Sequence, residues 1–135
     1  MTSKKINVSF EFFPPKNKGS IENLWSNIKR LEPLKPRFIS VTYGAGGSTR
    51  DYTHNLVKEI KEKTSLTPAA HLTCIGSSRQ EIERIAEDYW FSGIKHIVAL
   101  RGDKRTEDKD TNASDFKYAT DLISVLKKKY NFEIT

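Results

Sequence analysis

Five short apolar runs alternate with four stretches of helical periodicity along this chain. Each run follows the previous one by roughly thirty residues, the size of a βαβ unit. The runs are Ile6–Phe13, Phe38–Tyr43, Ala69–Ile75, His96–Leu100 and one begun by Phe132-Glu133-Ile134. Between them, helical spacing is carried by Ile21, Leu24, Trp25, Ile28 and Leu31, then by Leu56, Val57 and Ile60. Ile82, Ile85, Ala86 and Tyr89 carry the third pattern, and Tyr118, Ala119, Leu122, Val125 and Leu126 the fourth. Ser20 reads as the cap of the first helix, which Pro33 and Pro36 end. Ser48 or Thr49 reads as the cap of a second helix over 50–63, and Ser78-x-x-Glu81 as a capping box for a third, closed by Gly93. Ser114 reads as the cap of the fourth. Strands alternating with helices join by right-handed crossovers into a parallel sheet.

Two architectures satisfy that alternation: an open doubly wound sheet, or part of a (β/α)8 TIM-type barrel. The polar residues separate them. A parallel strand covered by helices on both sides is apolar on both faces. Here each strand carries polar groups near its C-terminal end: Glu11, then Ser40 and Thr42, then His71 and Thr73, then Arg101 and Asp103. Within each strand these groups share one parity, and several strands feeding one rim is the barrel pattern. The Gly-rich turn that an open dinucleotide-binding sheet places after its first strand is replaced by Pro14-Pro15. The expectation is a (β/α)8 barrel of which 1–135 supplies the N-terminal half, about the first four and a half units. A complete barrel takes about 250 residues.

Composition excludes several classes. A chain with 36% hydrophobic and 30% charged residues is ordinary for a soluble protein. No apolar run approaches the roughly 20 residues that span a bilayer, so no membrane partner is expected. The N-terminal Met1-Thr2-Ser3-Lys4-Lys5 lacks the apolar stretch of a secretory signal. The single cysteine, Cys74, suits a reducing, cytoplasmic setting and reads as a small packed hydrophobe. The net charge of +6 is spread over helical segments, and Lys127-Lys128-Lys129 complements a helix C-terminus. No nucleic-acid motif accompanies it, so no nucleic-acid partner is expected.

The richest stretch is Ser9-Phe10-Glu11-Phe12-Phe13-Pro14-Pro15. Ile6, Val8, Phe10 and Phe12 fall on one face, and Asn7, Ser9, Glu11 and Phe13 on the other. The two prolines stop the strand, since neither donates to a ladder. Burying a charged carboxylate among aromatic residues is costly. Such a group is either paired with an interior cation for stability or held protonated, as a general acid near neutral pH requires. Asp103, at the end of the fourth strand, offers a second carboxylate; it serves chemistry at the same rim or bonds local backbone N–H groups. His71 is a cofactor ligand or a satisfied interior histidine, and a metal would need further ligands at suitable spacing, so none is expected. Gly44-Ala45-Gly46-Gly47-Ser48-Thr49-Arg50 lacks the Gly-Lys-Ser/Thr ending of a phosphate loop, and a turn with a cap accounts for it. Arg101-Gly102-Asp103 spells an adhesion tripeptide but follows an apolar strand without a secretion signal. No strand-end lysine or Gly-x-Ser-x-Gly suggests covalent catalysis.

Taken in order, four stretches resemble one family. Ser9–Pro15, Ser40–Arg50, His71-Leu72-Thr73-Cys74 and His96–Asp103 resemble the methylenetetrahydrofolate reductases, of the short bacterial type. The resemblance implies a (β/α)8 barrel with FAD at its C-terminal rim. It implies a ping-pong reaction in which NADH or NADPH reduces the flavin and 5,10-methylenetetrahydrofolate is then reduced to 5-methyltetrahydrofolate. It implies Glu11 as general acid and Asp103 as a carboxylate near flavin and pterin, both touching substrate. Thr42, His71, Leu100, Arg101, Gly102 and Asp103 are implied FAD contacts, and Tyr118 and Ala119 further ones. Arg101 suits the diphosphate. Family members are about twice as long, so the resemblance also implies that 135 residues alone bind FAD weakly and do not turn over. A homo-oligomer or a complementing C-terminal half are the implied protein partners. The alternatives are a non-catalytic fragment and a different flavin-dependent barrel oxidoreductase.

Overall fold

A computed structural model describes residues 5–43, 50–103 and 114–135. Five strands alternate with four helices: β1 Ser9–Phe12, α1 Lys18–Leu31, β2 Phe38–Val41, α2 Arg50–Lys63, β3 Pro68–Thr73, α3 Arg79–Phe91, β4 His96–Leu100, α4 Ala119–Lys129 and β5 Glu133–Ile134. A single 3-10 turn, Glu32–Leu34, containing Pro33, follows α1. All strand pairings are parallel, and the spatial order is β1-β2-β3-β4-β5. A doubly wound sheet reverses its strand order at a switch point, whereas a barrel keeps it sequential. The expected partial (β/α)8 barrel is therefore the fold.

The register sorts side chains onto two faces. Phe12, Val41, Ala70, Ile97 and Ile134 form one cross-strand row. All five are apolar and belong to or pack against the core, together with Leu24 and Ile28 of α1, Val57 and Ile60 of α2, Ile82 and Tyr89 of α3, and Leu122 and Leu126 of α4. The adjacent row on the opposite face is Glu11, Ser40, Ala69, His96 and Glu133. Helices thus cover one face only, and polar groups share the other, inner face.

Side chains two strands apart meet across that inner face. The Phe38 ring of β2 lies 4.3 Å from His96 of β4. Flat strands two apart would stand about 9.6 Å from each other. Concave curvature, with small Ala69 between them, brings the rings together. Alternate strands sharing a layer is how barrel interiors fill.

Several local expectations shift. Asn17, not Ser20, caps α1: its side chain accepts from Ser20 N at 2.9 Å, while Ser20 Oγ accepts from Asn17 N at 3.0 Å. Ser78 caps α3 as expected, but Glu81 turns to Arg50 at 2.7 Å instead of closing the box. Ser114 does not cap α4; the helix starts after Tyr118, and the Asp121 carboxylate accepts from Lys117 N and Tyr118 N. The strand expected over Ile6–Phe13 narrows to Ser9–Phe12: β2 begins only at Phe38, and just ahead of the paired residues Val8 O accepts from Arg37 N at 2.8 Å. Ile6 is accordingly 83% exposed. The Gly44–Gly47 loop, the Ser48 and Thr49 caps and the Lys104–Ala113 loop lie outside the described residues.

Candidate functional site

Glu11 reaches the inner face near the end of β1, before Pro14 and Pro15 stop the strand. One row nearer the strand C-termini, Thr42, His71 and Val98 continue the register of β2, β3 and β4. The Glu11 Oε2 atom lies 3.1 Å from His71 Nε2, two strands away, passing over the small side chain of Ser40. Ser40 Oγ adds a longer donor at 3.5 Å. The Glu11 side chain is 53% exposed and that of His71 9%. The aromatic burial expected around Glu11 is therefore incomplete: Phe10 and Phe12 point to the core, and the carboxylate stands on the open concave face.

Among the described residues, two buried side-chain atoms on this face have no hydrogen-bond partner: Thr42 Oγ1 and His71 Nε2. For His71 the 3.1 Å approach to Glu11 is close but falls short of an aligned hydrogen bond in this arrangement. Burial pushes the His71 imidazole below its ordinary value, and the Glu11 carboxylate opposes that shift. The ring is therefore neutral near pH 7. Native interiors rarely leave polar atoms unpaired, and those left open tend to face a ligand.

The fourth strand delivers its groups differently. Leu100 ends β4 and is exposed, and Thr73 is its register partner. The Arg101 carbonyl accepts from Cys74 N and Ile75 N, extending the pairing past the strand. The Arg101 side chain is exposed, with Nε donating to Gly102 O at 3.2 Å. Gly102 has φ +83°, and a Cβ there would meet Ile75 Cγ2 at 2.9 Å and Thr73 Cβ at 3.0 Å. Both the left-handed backbone and the close approach demand glycine. Asp103 is exposed at the end of this segment. Tyr118 and Ala119 open α4 beside the same rim, where Cys74 Sγ lies 3.7 Å from the carbonyls of both Arg101 and Tyr118. Cys74 is buried, and burial pushes its thiol up, which matches the packed role expected for it. The structure thus brings Glu11, Thr42 and His71 onto one inner face and sets Leu100 to Asp103 and Tyr118-Ala119 around the adjoining rim.

Sequence reading missed the support beneath β2. Thr53 Oγ1 donates to the Thr42 carbonyl at 3.0 Å, and the Tyr43 hydroxyl meets His54 Nε2 at 2.7 Å. Arg50 joins Glu81 and Ser77 Oγ. Burial, reinforced by the Arg50 charge, lowers His54 to about 4, and burial raises the Tyr43 hydroxyl. Two consecutive polar residues on the inward stripe of α2 were the available signal. Among the described residues no cluster of three or more His, Cys, Asp or Glu side chains offers a metal site. Nor, among them, is any helix long and apolar enough to cross a membrane.

Comparison with known proteins adds a family. The family model described as methylenetetrahydrofolate reductase matches residues 1–135. The 5,10-methylenetetrahydrofolate reductase of Pectobacterium carotovorum subsp. carotovorum is 54% identical over 97% of this chain and 43% of its own length. That of Escherichia coli (strain K12) is 49% identical over the same shares. Methylenetetrahydrofolate reductase 1 of Schizosaccharomyces pombe is 35% identical over 96% of this chain and 22% of its own length. The chain spans less than half the length of these curated relatives.

Proposed function

Since the chain belongs to the methylenetetrahydrofolate reductase family, we propose that it carries the acid and part of the flavin wall of an enzyme that reduces 5,10-methylenetetrahydrofolate to 5-methyltetrahydrofolate. NADH or NADPH is the electron donor, FAD the cofactor, and one-carbon metabolism with methionine supply the role. The observation that carries this reading is the Glu11 carboxylate on an open concave face beside two buried polar atoms that have no partner among the described residues.

The residues fit a flavin. Thr42 Oγ1 offers a buried hydrogen-bonding atom to a polar ring edge or a phosphate oxygen, the His71 ring borders the same wall, and Gly102 keeps the β4 exit free of a side chain. Arg101 offers a guanidinium to the diphosphate, with Leu100, Asp103, Tyr118 and Ala119 lining the rim. When bound, the flavin supplies hydride transfer between nicotinamide and folate. Glu11 delivers a proton to a nitrogen of the methylene bridge, and the bridge then opens to an electrophilic iminium. Asp103 orients the pterin.

Among the described residues β1 and β5 each pair with one neighbour only. On this reading the 135 residues alone hold flavin weakly and do not turn over, and a complementing barrel half restores both. Purified chain is assayed for visible flavin absorbance and NADH-dependent folate reduction, alone and co-expressed with the remaining strands of a relative's barrel. Turnover by the chain alone overturns the claim of dependence. No flavin in the assembled form overturns the cofactor reading.

A further inference from the structure

The imidazole that borders the flavin wall also borders the acid. His71 Nε2 and Glu11 Oε2 stand 3.1 Å apart across an intervening strand. From β2 the groups facing His71 are Ser40 and Thr42; from its own strand Ala69 and Thr73; from β4 Val98 and Leu100. None of these is charged. Among the described residues Glu11 is the charged group that acts on His71. The His71 side chain is nine-tenths buried, and no other partner satisfies Nε2 among the described residues. A neutral imidazole can satisfy both forms of a facing carboxyl. Its Nε2 accepts from the O–H of the acid, and in the other tautomer it donates to the carboxylate.

We propose that Glu11 and His71 act as one proton-holding pair, in which His71 positions the Glu11 carboxyl and shares the proton that the acid delivers. This rests on the reading of Glu11 as the acid. In the acid form the Glu11 Oε2–H donates to His71 Nε2. On transfer the O–H bond breaks and an N–H bond forms on the folate bridge. Glu11 is left as a carboxylate, and a proton taken from solvent restores the Oε2–H to Nε2 bond, the imidazole staying neutral throughout. His71 is a positioning residue in this scheme, acting on the substrate through Glu11.

The pair is tested without folate or flavin. Imidazole resonances of the 135-residue chain are followed by NMR across pH, His71 being assigned by its loss in His71→Asn. Removing the facing carboxylate with Glu11→Gln is expected to lower the His71 midpoint by about one pH unit. Glu11→Asp, which keeps the charge on a shorter arm, should give a smaller drop. Asp103→Asn should leave the midpoint within about 0.2 unit, because its charge does not act on the ring. An unchanged midpoint in Glu11→Gln, or an equal drop in Asp103→Asn, overturns the pairing. The readout is independent of turnover, so a failed pair and a failed folate reading are told apart by the separate turnover assay of Glu11→Gln.

Discussion

Two histidine–glutamate pairs lie on the inner face, one toward each end of the strands, and they are wired differently. Toward the N-terminal end, His96 Nε2 meets Thr135 Oγ1 at 2.7 Å and its ring packs on Phe38. Its neighbour Glu133 lies 3.9 Å away and is held by Arg37 at 2.6 Å. Toward the C-terminal end, His71 and Glu11 approach more closely, yet among the described residues His71 Nε2 has no aligned partner and Thr42 Oγ1 beside it has none. The same two residue types therefore make a closed structural cluster at one end and an open set at the other. Barrel enzymes place chemistry at the C-terminal end and stability at the other. Satisfaction of polar atoms, more than residue identity, separates the two here.

The largest expected effect breaks that comparison most directly. In the assembled, flavin-bearing form, Glu11→Gln should slow folate reduction by about 10²- to 10⁴-fold, the usual contribution of a general acid. Flavin reduction by the nicotinamide should survive, because it needs no proton on the bridge. Glu133→Gln should leave both steps unchanged. Stopped-flow measurement of the two half-reactions decides. Equal loss of both in Glu11→Gln would sink the acid role, and a large loss in Glu133→Gln would erase the distinction between the two ends.

The outer face offers the next test. Ile97 is fully buried in the core, in a row where every member is apolar. Ile97→Ala should cost about 2–5 kcal/mol in urea unfolding, as transfer and cavity terms combine. Ser40→Ala, on the inner row, removes a 3.5 Å contact and should cost under about 1 kcal/mol. If both substitutions cost the same, the inner face is as tightly packed as the outer, and the open-site reading loses its physical basis.

That outer row was legible in β2, where Val41 lies between polar Ser40 and Thr42, but not in β4, where His96 to Leu100 is nearly all apolar and Arg101 and Asp103 share the parity of Ile97. The inner residues were legible one strand at a time. Parity put Glu11, Thr42 and His71 on one face, but the Glu11–His71 contact depends on sheet curvature and on Ser40 being small enough to reach over. Local periodicity encodes neither. Helix starts misled for a different reason. In a capping box both ends carry capping chemistry, so Ser20 at the third helical position looks like the cap that Asn17 actually is. Ser114 likewise resembles a cap, but its hydroxyl closes a turn with Phe116. Strand ends depended on pairing with the neighbouring strand, and Ile6 to Val8 fell outside β1.

The third test concerns pH. His54 sits behind β2 on the helix side, its folded value lowered to about 4 by burial and by Arg50. An unfolded histidine titrates near 6.5, so the unfolded chain binds that proton more tightly. Stability is therefore full above about pH 6.5 and falls as pH drops from there to about 4, with no further loss from this group below that range. The expected loss is about 2 kcal/mol, less than the full shift implies because some solvent reaches the ring. His71 and His96, also lowered by burial, add in the same direction. Urea midpoints at pH 7.5 and 4.5 measure the sum. His54→Asn, which still offers Tyr43 an acceptor, should flatten the slope.

The smallest effect bears on the closed end. Arg37 and Glu133 are more than half exposed, and their 2.6 Å pair links the residue before β2 to the start of β5. Flat strands three apart would be separated by about 14 Å, so the pair forms because the sheet is curved. Whether it also causes the curvature is a question of magnitude. An exposed pair contributes about 0–1 kcal/mol and weakens with salt. Arg37→Met, which keeps most of the apolar stem, should cost no more than that, and the cost should shrink in high salt. Such a result leaves curvature to the packing of helices on the outer row, with His96, Phe38 and Thr135 filling the inner layer. A salt-insensitive loss above about 2 kcal/mol would exceed what an exposed pair supplies. The closed end would then be a latch that sets the curvature on which the Glu11–His71 approach at the open end depends.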